Sequence, residues 1–266
     1  MARLCNTLAA ALMLLSLPAA AETRPGKETI EADVSSRSVS ITSSFTGTEI
    51  LIFGTVENSR QPSAEAGTYD VVVVVEGTPA PLTVRKKSRI GGVWINAKDV
   101  RFSSMPSYYA IASTRPIEEI ADAKILNQYE IGFHHVRMTP SGRHIVSEAD
   151  HDVSEFREAV IRLKQRERLF ITTEYGVTFI GRSLFRSTIA LPPNVPVGPL
   201  VARVFLFQDG KMLSQYKSRV GLERAGIERF LHDTAFNAPL VYGLATVLMA
   251  AAAGMTAAFV FRKPGK

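Results

Sequence analysis

The chain has 266 residues, of which 46% are hydrophobic and 21% charged, an ordinary balance for a globular protein. Its net charge is +6, but removing the four charges Arg3, Arg262, Lys263 and Lys266 leaves only +2 on everything between, which argues against nucleic acid as a partner. The single cysteine, Cys5, excludes a disulfide framework, a Cys-ligated metal site and a thiol nucleophile from the body of the chain.

Residues 1–21 combine Arg3, an apolar run from Leu8 to Leu17, Pro18 and three alanines. This is the order of a secretory signal peptide, with cleavage expected before Glu22. Cys5 sits ahead of the apolar run, the wrong place for lipid attachment. An exported body of this length can hold itself together by its core alone.

From Glu28 to about Thr114 the pattern is β. Val39, Ile41, Ser43 and Phe45 alternate with Ser38, Ser40, Thr42 and Ser44, as in a half-buried strand. Residues 49–56 (EILIFGTV) predict a strand whose consecutive apolar residues suggest burial on both faces. Residues 69–75 (YDVVVVV) form the strongest strand signal, with five successive valines. Gly77-Thr78-Pro79-Ala80-Pro81 reads as a turn, so residues 82–90 are expected to return beside the valine strand as a hairpin. After Gly91-Gly92, Val93-Trp94-Ile95 begins another strand, and short strands continue through Tyr108–Ala112. Many short strands with regular turn signals point to a sandwich. Trp94 is expected in its core.

Helical spacing then takes over. Pro116 stands at a first-turn position before Ile117, Ile120, Ala121 and Ile125. Asp152 and Glu155 form a D-x-x-E capping pair, followed by the apolar stripe Phe156, Ala159, Val160 and Leu163. The β pattern resumes at Phe170, with strands over 184–191, 200–207 and 211–220. Asp209-Gly210 between the last two is a two-residue hairpin signal. Residues 223–237 read as a helix or stalk. Residues 238–261 (APLVYGLATVLMAAAAGMTAAFVF) carry no charge and, as a helix of roughly 36 Å, are long enough to cross a bilayer core of about 30 Å. The basic tail RKPGK puts the C-terminus in the cytoplasm and the bulk outside. With only RKPGK after the span, no cytoplasmic signalling module is expected.

The strand pair SVSITSSFTGTEILIFG, the run DVVVVVEG followed by VRKKSRIGGVWIN, the segment FRSTIALPPNVPVGPLVARVFLFQDG and the closing GIERFLHDTAFNAPLVYGLATV resemble the alphaproteobacterial transmembrane protein family Alph_Pro_TM. The resemblance covers nearly the whole expected mature chain. It implies a bacterial inner-membrane protein with a periplasmic β-rich domain, and gene neighbourhoods that hold a sulfite/organosulfonate-type exporter. It implies no activity.

Three groups of residues are candidates for chemistry. His134, His135, His144 and His151 lie near Glu148, Asp150 and Asp152, ligand types suited to Zn or Cu(II), though no pair has helical i, i+4 ligand spacing. A polar loop is the simpler reading. Arg85, Lys86, Lys87 and Arg89 could hold an anion, or could simply make a solvated strand unattractive to other strand edges. Ala250, Gly254 and Ala258 repeat every fourth residue along the span, a small-residue face on which another helix can pack closely. No GxSxG, SxxK, GxGxxG or P-loop frames a catalytic group.

The expectation is therefore a mainly β protein with an Ig-like sandwich of one or two modules. It comprises a signal peptide (1–21), an N-terminal β region (22–113), a helical insert (114–169), a C-terminal β region (170–222), a juxtamembrane helix or stalk (223–237), a transmembrane helix (238–261) and a tail (262–266). It is expected to be non-enzymatic and without cofactor. Its expected partners are the lipid bilayer and, through the span, a membrane protein or a second copy. An anion- or metal-binding module is the alternative.

Overall fold

The computed structural model describes residues 27–42, 44–141, 149–224 and 227–261. The expected signal peptide, the tail beyond 261 and His144 lie outside these residues, as does the side chain of His151. The described chain is mainly β, with an apolar helix at its C-terminal end.

Three sheets build the body. The first contains β1 (Thr29–Val34), β3 (Thr48–Glu57), β11 (Leu184–Leu191) and β10 (Val177–Ile180), in the order β1-β3-β11-β10 and antiparallel throughout. The second contains β2 (Ser38–Ile41), β13 (Lys211–Arg224), β12 (Gly198–Gln208), β4 (Asp70–Gly77), β7 (Tyr109–Ser113) and β9 (Phe170–Thr173), in the order β2-β13-β12-β4-β7-β9. Its two outermost pairings, β2–β13 and β7–β9, are parallel. The third contains β5 (Pro79–Ile90), β6 (Val93–Pro106) and β8 (Thr139–Ser141). Strands from before and after the insert share the first two sheets: β3 pairs with β11, and β4 with β12. Both β regions thus belong to one body.

The five valines explain the layering. Val71, Val73 and Val75 enter a core shared with Ile50, Ile52 and Phe185 of the first sheet. Val72 and Val74 enter a second core on the opposite face, with Phe205 and Phe207. All five are at most 1% exposed, because the middle sheet is covered on both sides. At about 25 cal/mol per Å² of buried apolar surface, such a strand stabilises both cores, together with its neighbour β12, which adds Leu200, Val204 and Leu206 to the first and Phe205 and Phe207 to the second. By contrast, β3 alternates: Ile50, Ile52 and Val56 are buried while Leu51 and Phe53 are 38% and 39% exposed. The expectation of two-sided burial for residues 49–56 fails because, among the described residues, none covers the outer face of β3 at Leu51 and Phe53. Tyr108 ties the two sheets together, its hydroxyl donating to the Ala190 carbonyl at 2.6 Å.

The insert lies over the second core. It comprises α1 (Ile117–Ile120), α2 (Ala123–Tyr129), β8 and α3 (Ala149–Arg166). It leaves the end of β7 and returns as β9, which lies parallel to β7; a parallel pair requires such a crossover. At its departure point Asp70 accepts hydrogen bonds from Thr114 Oγ1 (2.9 Å), Arg115 Nε (2.9 Å) and Arg115 Nη2 (2.8 Å). Helix α3 starts three residues ahead of the expected cap, so Asp152 lies inside it. Its buried stripe is Phe156, Val160 and Ile161, while Leu163 is 49% exposed.

The expected hairpin between the valine strand and residues 82–90 does not form. Gly77–Pro79 is a bend rather than a reversal: Gly77 N donates to Tyr108 O at 2.8 Å, and Pro79 pairs with Pro106 just beyond. The β4–β7 ladder therefore passes into the β5–β6 ladder, which reverses only at Gly91 and Gly92, at φ 59° and 85°. A Cβ on Gly77 would lie 2.5 Å from Ser107 Oγ, so the bend needs glycine there. The result is an arm. Phe102 and Met105 at its base are buried in the second core, with Leu82, Val84 and Val100 packed against it. The expected hairpin at Asp209-Gly210 does form, with both residues at positive φ (47° and 77°) between β12 and β13.

Candidate functional site

The basic run lies along β5, on the arm. Its four cations do not converge on one point. Lys86 Nζ contacts both carboxylate oxygens of Glu155 on α3, at 2.6 and 2.9 Å, so Glu155 bridges to the arm. Between Arg85, Lys86, Phe156 and Arg162 runs an open groove of about 250 Å³. Arg89 donates from Nε to the Gly92 carbonyl at 3.4 Å, across the turn. Lys87 pairs with Asn96 and Arg89 with Trp94 in the ladder, so both basic residues project from one face of the arm.

Trp94 is where the sequence expectation is reversed. It is 66% exposed, next to Ile90 at 58%, Val93 at 63% and Ile95 at 43%. Tyr108 and Tyr109, by contrast, are fully buried. Burial pushes both phenols well above the ordinary tyrosine range. The Tyr109 hydroxyl donates to Glu130 O at 2.7 Å and accepts from Gly132 N at 3.2 Å.

Of the histidines, His134 Nδ1 lies 3.2 Å from Glu158 Oε1 on the surface of α3. Partial burial, the neighbouring His134 and Arg157 all lower the pKa of His135. Among the described residues, no group of three His, Cys, Asp or Glu side chains is placed to hold a metal.

A cleft that sequence reasoning missed lies at the bend of the arm, with a volume of about 400 Å³. Glu76, Pro79, Pro106, Val201, Arg203 and Lys217 line it. Arg203 pairs with Glu76 through Nη2, donates from Nη1 to Tyr129 O at 2.8 Å, and stacks over Phe205 at 5.4 Å. Burial raises the Glu76 pKa against the opposing pull of the Arg203 guanidinium. The signal was present in the sequence: Glu76 ends the valine run, and Arg203 interrupts the apolar β12. A charge inside a buried strand needs a partner.

The C-terminal helices are α4 (Ile227–Asn237) and α5 (Pro239–Val260). They meet at Ala238 (φ −138°, ψ 63°), and Pro239 opens α5 where its missing N–H is harmless. Helix α5 has 22 residues, none of them buried, including Ala250, Gly254 and Ala258. Its Thr246 and Thr256 hydroxyls donate to the carbonyls of Gly243 and Ala253, both at 2.8 Å, so neither leaves a bare donor on the helix surface. A Cβ on Gly254 would meet nothing within 4 Å. On α4, Phe230 and Phe236 are 68% and 75% exposed, and His232 stacks on Phe236 at 4.6 Å.

A family model described as "Putative transmembrane protein (Alph_Pro_TM)" matches residues 29–263, and the chain belongs to that family. No curated protein matches the sequence. Among solved structures, the sporulation control protein Spo0M from Bacillus subtilis is similar over 80% of this chain at 10% identity, with a TM-score of 0.28. The chain spans 56% of the length of that protein.

Proposed function

Starting from a chain that belongs to a transmembrane family, we propose that this protein is a non-enzymatic accessory or assembly partner of another inner-membrane protein. In this reading α5 is its single span, the signal peptide exports the body, the body is an Ig-like sandwich in the periplasm, and the C-terminus is cytoplasmic. The partner is a transporter, of the sulfite/organosulfonate-exporter type that the family resemblance implies. One observation carries the reading: an uncharged 22-residue helix with no buried residue, whose Ala250, Gly254 and Ala258 face is covered by none of the described residues. In hydrocarbon, helices associate through close packing, which small residues permit.

The experiment is replacement of Gly254 by Leu, with crosslinking in native membranes before and after. Loss of the crosslinked species, with insertion of the chain unchanged, is expected. An unchanged crosslinking pattern overturns the assembly role.

The second reading is an anchored module for an anion or metal. Exposed Arg85, Lys87 and Arg89 favour the anion; the metal rests on the sequence grouping of the histidines alone. Calorimetric titration of sulfite, and equilibrium dialysis against zinc and copper, test these. The readings separate on one exchange: swapping α5 for an unrelated span abolishes an assembly role and spares a binding module.

A further inference from the structure

The outer part of the arm projects with both faces exposed. From Arg85 to Arg89 and from Val93 to Asp99 no residue is buried. Its tip is apolar where a turn is ordinarily polar. Ile90 pairs with Val93 on one face, as Ser88 does with Ile95, and Trp94 stands beside Arg89 on the other. One face at the end of the arm is therefore apolar, and the other carries Trp94 beside Arg89 and Lys87. A rigid partner would cover one face of so thin a ribbon; a bilayer interface, apolar below and charged above, suits both.

Charge points the same way. Between Pro79 and Pro106 there are six basic residues, Arg85, Lys86, Lys87, Arg89, Lys98 and Arg101, against the single acid Asp99. The arm thus carries +5, against a net +2 on everything between the four terminal charges, so the rest of that stretch is net acidic. At about 3.4 Å per residue, Lys87 and Arg89 sit within roughly 15 Å of the turn. An apolar tip with tryptophan, backed by lysine and arginine at that depth, is the pattern of side chains that settle at a bilayer interface.

We propose that the tip of the β5–β6 arm is a second membrane contact, placing Ile90, Val93 and Trp94 among the headgroups of anionic lipids while Lys87 and Arg89 pair with their phosphates. This rests on the anchor reading only in that α5 keeps a bilayer within reach. The contact would fix the orientation of the body over the membrane, which a single span does not do by itself. Its strength would fall with salt, because the lipid–cation attraction is screened.

The chain contains one tryptophan, Trp94, so its fluorescence reports on the tip alone. The full chain is placed in nanodiscs of phosphatidylcholine with or without phosphatidylglycerol. Emission is then measured with brominated acyl chains and with aqueous acrylamide. The expected result is a blue shift, bromine quenching and protection from acrylamide in anionic discs. These effects should be lost in zwitterionic discs, in high salt, and in the double variant Lys87→Glu, Arg89→Glu. Because both substituted residues are exposed, unchanged circular dichroism shows that the fold is retained. Trp94 equally open to acrylamide in detergent and in anionic discs overturns the proposal. So does protection seen only in native membranes, which assigns the tip to a protein. Carbonate extraction of the same chain from vesicles separates the two readings: release of the chain refutes the span, whereas retention with an exposed Trp94 refutes only the tip contact.

Discussion

A Cβ on Gly54 would lie 2.3 Å from the Glu31 carbonyl oxygen and 2.6 Å from the Phe185 ring. Gly54 is in β3, flanked by β1 and β11, and its bare backbone lets Phe185 lie across the strand into the first core. Gly54→Ala should cost about 3 kcal/mol or more, since the nearest clash is with backbone that cannot swing away; the shift in the unfolding midpoint of the detergent-solubilised chain measures it. His135 works through protons. Its pKa is lowered from 6.5, chiefly by burial and then by His134 and Arg157, with Glu118 opposing. The unfolded chain therefore takes up this proton at higher pH than the folded chain does. Stability from this group is complete above about pH 6.5 and falls as the pH drops from there toward the lowered folded value. Replacing His135 with Asn should flatten that part of the urea-midpoint profile between pH 7.5 and 5.5 relative to the native chain; parallel profiles would refute it. Neither residue announces its role in sequence, because the chief cause in each case, the Glu31 and Phe185 contacts of Gly54 and the burial of His135, is set by tertiary packing.

Among the elements, those with local causes were legible. Strand β11 covers residues 184–191 as expected, and the β12–β13 hairpin follows from Asp209-Gly210. The valine strand is equally plain. What its turn residues left open was direction. Gly77 and Pro79 break a strand, but a reversal and a bend use the same residue types, and only the Gly77–Tyr108 bond and the Pro79–Pro106 pairing decide between them. Helix α3 shows the same limit at its start. Asp152 and Glu155 have cap spacing, yet the helix begins at Ala149 and Glu155 is drawn to Lys86 across the layer. Of the candidate residues, Ala250, Gly254 and Ala258 lie on a single helix, so their placement along one face follows from spacing alone. The Glu76–Arg203 cleft could not be read this way, because its two sides come from strands 127 residues apart in sequence.

At the scale of the molecule, the body is interleaved. β3 takes β11 as its neighbour and β4 takes β12, so each β region supplies what the other's sheets lack. Residues 27–113 expressed alone would leave β4 without β12 and both cores half-lined. They should fail to give a cooperative unfolding transition, and co-expression with residues 114–224 should restore one. A stable, cooperatively folded fragment would show that the two regions are independent modules. The amino-acid sequence by itself determined the mainly β class, most strand positions, the helical insert and the apolar terminal helix, because these follow from periodicity, turn chemistry and length along the chain. Only the tertiary structure decided that Trp94 is exposed, that β3 has a solvent face, that the basic run rides on an arm and that Glu76 meets Arg203. Each of these depends on what covers a given face, and that is settled by long-range strand pairing rather than by any local pattern.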